Sequence, residues 1–320
     1  MVDILVLHQS MHGMPSSECA TALRERLPAH HIVHAESPAH ERELISEAAI
    51  VVGGAFRDEL IERATSLRVF ACYWAGVDHL DLDYLSEQGI VVTNAAGVHG
   101  PNIAEHVIGW FLLITRRLDE GIRRQERHEW RHFQAMGEFA GSRVAVVGMG
   151  AIGQAIIDRL DGFSVTTIGV RYSPEKGGKT DEVYGFADIT EALSRADYVV
   201  IACPLTDETE GLIAREALQA LSPDAVLVNV GRGPIVETDA LVHALQFNQL
   251  HAAALDVTDP EPLPTDHPLW SLENCFITPH NAGHTPQYWD RVAGIVARNV
   301  EQIEETGEWD GLENQVNTLG

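Results

Sequence analysis

"RVAVVGMGAIG", residues 143–153, decides the fold. Residues 144–147 form an apolar run of strand length, which breaks at Gly148. Gly148, Gly150 and Gly153 then keep the spacing G-x-G-x-x-G, and "AIGQAIIDRL" (151–160) continues as an amphipathic helix. Each glycine has a mechanical reason in a strand–turn–helix unit. Gly148 permits the tight turn, Gly150 lets the backbone approach a pyrophosphate, and Gly153 lets the helix pack closely on the strand. The helix N-terminus attracts the anion. Glycines also cluster in ordinary turns, so the flanking strand and helix carry the expectation of a dinucleotide site.

The next apolar run, "VTTIGV" (165–170), should end about 20 residues past the glycines in a carboxylate that holds the ribose 2′-hydroxyl. It ends instead in Arg171, followed by Tyr172 and Ser173. A carboxylate would repel a 2′-phosphate, whereas arginine pairs with it bidentately and stacks on adenine. Lys176 and Lys179, the only lysines of the chain, lie just beyond. These five residues are the expected site of the extra phosphate, with NADP(H) preferred and NAD(H) possible.

Outward from this centre, apolar runs alternate with helical patterns. Before it come "DILVLH", a helix over 18–27, "HIVHA", a helix over 41–46, "AAIVVGG", "LRVFACYWAG" and "GIVVTN". A long apolar helix is expected over 102–118, then a charged and aromatic segment over 119–141. After the centre come "ADYVVIACP", "AVLVNVGRG" and "HAAALDV", and the chain closes on an amphipathic helix, "YWDRVAGIVARNVEQIEE". Strands alternating with helices predict an α/β fold with doubly wound parallel sheets, and runs without strict alternation suit strands covered on both faces.

Composition bounds the setting. The 320 residues carry 47 acidic and 22 basic side chains, a formal charge of −25. That argues against nucleic acid or an anionic membrane as partner. It also points to a protein built for molar salt rather than an ordinary acidic one, because a Debye length of about 3 Å at 1 M removes most of the self-repulsion. The scarcity of lysine agrees. The N-terminus lacks the pattern of a secretory signal, and the longest apolar stretch is too short to span a bilayer. Cys19, Cys72, Cys203 and Cys275 are far apart and read as reduced thiols of a cytoplasmic protein. His8 with His12, and His30 with His34, have i,i+4 spacing, but no third ligand completes a metal pattern. Tyr73 and Trp74 read equally well as pocket or core.

Three later turns each present one ionisable residue. "LVNVGRGPIV" ends a strand at Arg232, "LDVTDPEPLP" places Glu261 between prolines, and "FITPHNAGHT" ends a run at His280. Histidine exchanges a proton near neutrality, a neighbouring carboxylate orients the ring and favours its cation, and arginine clamps a carboxylate and polarises the adjoining carbonyl. Each alone is unremarkable. Together, downstream of a dinucleotide loop, they make a catalytic set.

With these motifs, together with "VGMGAIG", "CPLTDETEGLI" and "TPHNAGHT", the chain resembles the D-isomer-specific 2-hydroxyacid dehydrogenases over essentially its whole length. The resemblance implies that Arg232 binds the substrate carboxylate and carbonyl, that Glu261 orients His280, and that His280 is the acid/base. It implies cofactor contacts at Ala151, Ile152, Pro204, Thr209, Val230, Asp256 and Gly283, with Asp256 on the carboxamide. "YWAGVDHLD" resembles the substrate loop, whose N–H groups at Ala75, Gly76 and Val77 would hold the carboxylate. Many members carry an acid at Arg171 and a histidine at Cys203; Cys203 is expected to be a packing residue near adenine. Formate dehydrogenases have glutamine where Glu261 stands, and longer phosphoglycerate dehydrogenases have a regulatory domain that this sequence does not show.

The implied architecture is a Rossmann nucleotide domain, 99–285, inserted in a flavodoxin-like substrate domain, 1–98 and 286–320, the two closing over a cleft. Segment 99–141, with Trp130, would build a homodimer. The expected reaction is NADPH-dependent reduction of a 2-keto acid to a D-2-hydroxy acid. The alternative is a regulatory protein on the same fold that senses the cofactor and turns over little.

Overall fold

Neighbouring residues of a strand point to opposite faces, so a strand that is apolar throughout needs cover on both sides. The computed structural model describes residues 4–11, 13–77, 79–133 and 136–319, and the chain falls into two compact units, Met1–Val98 with His284–Gly320 and His99–Gly283.

The first unit holds β1 (Ile4–Val6), β2 (Ile32–His34), β3 (Ile50–Gly53), β4 (Val69–Cys72) and β5 (Val91–Thr93), all parallel, in the order β2-β1-β3-β4-β5. This is the flavodoxin-like order. Ile4, Val6, Ile50 and Val52 share a core with the helices Ser16–Arg26 and Tyr288–Thr306, while Leu5, Val51 and Phe70 pack with Ile45, Leu60 and Leu85 on the other face.

The second unit holds β6 (Arg143–Val147), β7 (Thr166–Arg171), β8 (Glu182–Gly185), β9 (Tyr198–Ile201), β10 (Val226–Asn229), β11 (Ala252–Leu255) and β12 (Cys275–Ile277). All are parallel, in the order β12-β11-β10-β9-β6-β7-β8. Strand order reverses between β6 and β9, the Rossmann arrangement, and that switch point is where such sheets bind ligands. Val144 and Val146 pack with the helices Gly100–Thr115 and Ala151–Leu160, and Ala145 and Val147 with the helices on the opposite face. The doubly wound α/β expectation therefore holds in both units.

Two local features differ from expectation. The long helix spans Gly100–Thr115, and a second helix, Leu118–Glu126, follows a turn in which Arg117 has φ 50°. The Thr115 hydroxyl is buried on Phe111 O and the Tyr198 hydroxyl, which anchors the helix end inside the core. Strand β8 was not expected at all: it is an edge strand, opens with a charged residue and is mostly half-buried.

The chain enters the second unit at His99 and leaves it at Gly283. These points are bonded to each other, His99 Nδ1 to Gly283 O at 2.8 Å and Asn102 Nδ2 to Ala282 O at 2.8 Å. Among the described residues no helix is long and apolar enough to cross a membrane.

Candidate active site

The glycine loop follows β6 directly. Gly148 has φ 99°, and a Cβ there would lie 2.5 Å from Cys203 N, so the tight turn and the close approach to the end of β9 both demand glycine. A Cβ on Gly153 would collide with Gly148 O, which is the close packing of helix on strand. At Gly150 a Cβ would meet no atom within 4 Å, so the space beside this backbone is open to a ligand. The helix Ala151–Leu160 starts there without a side-chain cap, leaving the N–H groups at its start, where Ala151 and Ile152 stand, to an anion.

A recess of about 490 Å³ opens beside this loop. One wall is Arg171, Tyr172, Ser173 and Lys176 from the end of β7, and the other includes Cys203, Pro204 and Thr209. Arg171 spends one donor on Gly177 O at 2.6 Å, which fixes the guanidinium at the recess. Lys179 does not line it. Its ammonium sits 2.8 Å from Asp158 Oδ1 and 3.3 Å from Asp161 Oδ2, and these carboxylates raise its pKa. The expectation that Lys179 adds charge beside the recess is corrected: the lysine ties its loop to the end of the helix Ala151–Leu160. The Thr209 hydroxyl is likewise spent, donating to Pro204 O at 2.7 Å. Sequence reasoning missed Glu208, which also lines the recess and whose carboxyl is held below its usual range by the Thr206 hydroxyl and its own N–H. Cys203 is buried, and burial pushes its thiol up to about 11.

Arg232, Glu261 and His280 all stand beyond the carboxyl ends of adjacent strands, β10, β11 and β12. Asn229, the buried last residue of β10, shapes the first turn: its Oδ1 accepts from Gly231 N and its Nδ2 donates to Arg232 O, each at 3.0 Å. The exposed Arg232 side chain donates to Gly231 O at 2.7 Å. Val230 is buried beside it. Glu261 sits between the cis peptide bonds Asp259–Pro260 and Glu261–Pro262. Its Oε1 lies 2.6 Å from His280 Nδ1, and both side chains are nearly half exposed. His280 Nε2 has no hydrogen-bond partner among the described residues.

Asp256 is buried and commits its carboxylate to the loop that carries His280. Oδ1 accepts from Thr278 Oγ1 at 2.7 Å and Asn281 N at 3.0 Å, and Oδ2 accepts from Ala282 N at 3.0 Å. In the first unit, Ala75, Gly76 and Val77 follow β4, and Asn94 Nδ2 holds Ala75 O at 2.7 Å. Their own N–H groups make no hydrogen bond among the described residues. Tyr73 is core, its hydroxyl on Gln9 O, and Trp74 packs on His79. The paired histidines bond elsewhere, His8 to Glu41, His30 to Glu304 and His34 to Ser16, and His12 lies outside the described residues. Among the described residues no three His, Cys, Asp or Glu side chains gather as a metal site would require.

A glycine loop at the switch point and a histidine–carboxylate pair on the same sheet edge describe a nicotinamide-dependent oxidoreductase. The family model for the NAD-binding domain of D-isomer specific 2-hydroxyacid dehydrogenases matches residues 108–282. The chain belongs to this family. As a D-isomer specific 2-hydroxyacid dehydrogenase it is an NAD(P)-dependent enzyme. It is 36% identical over 250 residues to a glyoxylate reductase of Thermofilum pendens, covering 76% of this chain and 73% of the relative. A D-isomer specific 2-hydroxyacid dehydrogenase family protein of Aeromonas salmonicida superposes with a TM-score of 0.82 at 30% identity, over 99% of each chain. An NADPH-dependent glyoxylate/hydroxypyruvate reductase of Sinorhizobium meliloti, solved with citrate, gives 0.77 at 26% identity, over 99% of this chain and 98% of that one.

Proposed function

We propose that this dehydrogenase is an NADPH-preferring reductase that converts a small 2-keto acid to a D-2-hydroxy acid. The observation that carries this reading is the His280–Glu261 pair, 2.6 Å apart with Nε2 of the ring open. NADPH supplies the hydride when bound. His280 donates a proton from Nε2 to the carbonyl oxygen, and Glu261 on Nδ1 fixes the ring and balances the charge of its donor form. Arg232 pairs with the substrate carboxylate and polarises the carbonyl. The open N–H groups of Ala75, Gly76 and Val77 are the proposed backbone donors to a carboxylate. Arg171 and Lys176 supply the positive charge for the 2′-phosphate, and the NADPH dependence of the Sinorhizobium relative supports the same preference. The names of the relatives favour glyoxylate or hydroxypyruvate as substrate.

His99–Gly283 is then the nucleotide unit, and Met1–Val98 with His284–Gly320 the substrate unit. A homodimer through the segment after the long helix is supported by the exposed Leu118, Ile122, Trp130 and Met136, with Trp130 99% exposed. The four unpaired cysteines suit a cytoplasmic enzyme.

The test is the initial rate of NADPH against NADH oxidation, in molar KCl, with glyoxylate, hydroxypyruvate, pyruvate and branched-chain keto acids. We expect turnover with at least one acid, NADPH preferred, and a loss of at least about a hundredfold in His280→Ala. Equal use of NADH would overturn the cofactor assignment. Dinucleotide binding without turnover of any acid would overturn the reductase.

A further inference from the structure

The loop that carries His280 is held by two sets of groups. One is the Asp256 carboxylate. The other is a polar stripe on and just before the helix Gly100–Thr115, made by His99, Asn102, His106 and Trp110. Spacings of three and four residues place these side chains on one face of an otherwise apolar helix. His99 and Asn102 bond the carbonyls of Gly283 and Ala282, each at 2.8 Å. His106 Nε2 lies 3.2 Å from Thr278 Oγ1 and 3.9 Å from Asp256 Oδ1. Trp110 Nε1 points at the same His106 nitrogen from 2.9 Å.

Proton bookkeeping defines the state of this ring. The indole N–H can only donate, so His106 Nε2 must present its lone pair, and the ring proton of the neutral form is on Nδ1. Thr278 has one hydroxyl proton, shared between Asp256 Oδ1 and this lone pair. Burial lowers the pKa of His106, more than the charge of Asp256 raises it. A protonated ring would also set an N–H against the N–H of Trp110. The neutral ring therefore accepts from Trp110 and, at 3.2 Å, takes only the minor share of the Thr278 hydroxyl proton, whose main acceptor is Asp256 Oδ1 at 2.7 Å.

We propose that His106 is a positioning residue for the acid/base: through Thr278 and Asp256 it fixes the loop on which His280 meets Glu261. The inference rests on the assignment of His280 as proton donor. A loop free to shift would misplace Nε2, and misplacement by about 1 Å costs up to about a hundredfold in rate.

The experiment compares the full-length enzyme with His106→Leu, His106→Gln and Thr278→Val. Glutamine can still accept from Trp110 and Thr278 through Oε1; leucine cannot. In His106→Leu and Thr278→Val we expect kcat to fall about ten- to a hundredfold. NADPH affinity, read by fluorescence quenching, should change less than about twofold, since no residue of the stripe lines the recess. The solvent deuterium isotope effect on kcat should rise as proton transfer becomes limiting, and His106→Gln should restore both readouts. NMR of the His280 ring at one fixed pH should show a shifted or broadened signal in His106→Leu, with or without turnover. Wild-type kcat and isotope effect in His106→Leu would overturn the proposal. So would a lower kcat with an unchanged isotope effect and no rescue by glutamine, because that is a structural loss only. If His280→Ala retains activity while the His106→Leu ring signal still moves, the positioning stands and the acid/base assignment fails.

Discussion

The four thiols are displaced in one direction. Burial pushes Cys72 and Cys203 up to about 11, and Cys19 and Cys275 up to about 12, from an ordinary 9.0. Below pH 9 both folded and unfolded chains hold these protons, and stability does not depend on them. Above it the unfolded chain releases protons that the folded chain keeps, so stability falls as pH rises through the folded values. The melting temperature should hold up to about pH 9 and drop between there and pH 12. At pH 8 a thiol reagent should label no cysteine quickly in the native protein and all four after unfolding. Rapid native labelling would show that a thiol is reachable. At this scale the sequence was legible where chemistry is local. Glu261 and His280 were found by type and turn, and they do meet. His106 was hidden, because its partner Thr278 is 172 residues away and its host segment reads as an apolar helix.

The loop after β7 shows what spacing can and cannot tell about an element. The missing acid at Arg171 and the approach of Lys176 were legible, since the end of a strand beside the glycine loop has a fixed place in this fold. The direction of Lys179 was not, because a lysine stem reaches any carboxylate nearby, and Asp158 and Asp161 are nearby only after folding. Substitutions should separate the two roles. Arg171→Ala should raise the KM for NADPH at least about tenfold, the scale of a lost charge-assisted hydrogen bond, and leave that for NADH nearly unchanged. Lys179→Ala, at an exposed ion pair, should leave the KM for NADPH within about twofold. The reverse pattern would return the phosphate role to Lys179. Strand β8 was illegible for a similar reason: an edge strand needs cover on fewer sides, so its polar residues break the apolar run by which the inner strands were found.

For the whole molecule, the charge of −25 is the strongest lever on behaviour in solution. Exposed ion pairs such as Arg298–Glu313 and Arg42–Glu59 engage only some of the acids. Self-repulsion among the rest is long-ranged in dilute buffer and screened within about 3 Å in molar salt. Activity and melting temperature should both fall on transfer from molar KCl to dilute buffer. An unchanged melting temperature would show that the acids are balanced locally and that the salt reading is wrong. Parallel sheets covered on both faces were legible because each inner strand is apolar throughout, whereas their division between two units was expected only through resemblance.

The bond between His99 and Gly283 bears on the order of folding. To the outer unit, the central one is an insertion of about 185 residues between Val98 and His284. If that insertion were still unfolded, bringing Val98 and His284 together would cost the closure entropy of a very long loop. Once folded, its ends are one hydrogen bond apart, and the outer unit closes as if across a short turn. The difference is about 3 kcal/mol in favour of docking the closing helix Tyr288–Thr306 only after the insertion has folded, onto the first 98 residues, which hold every strand of the outer sheet.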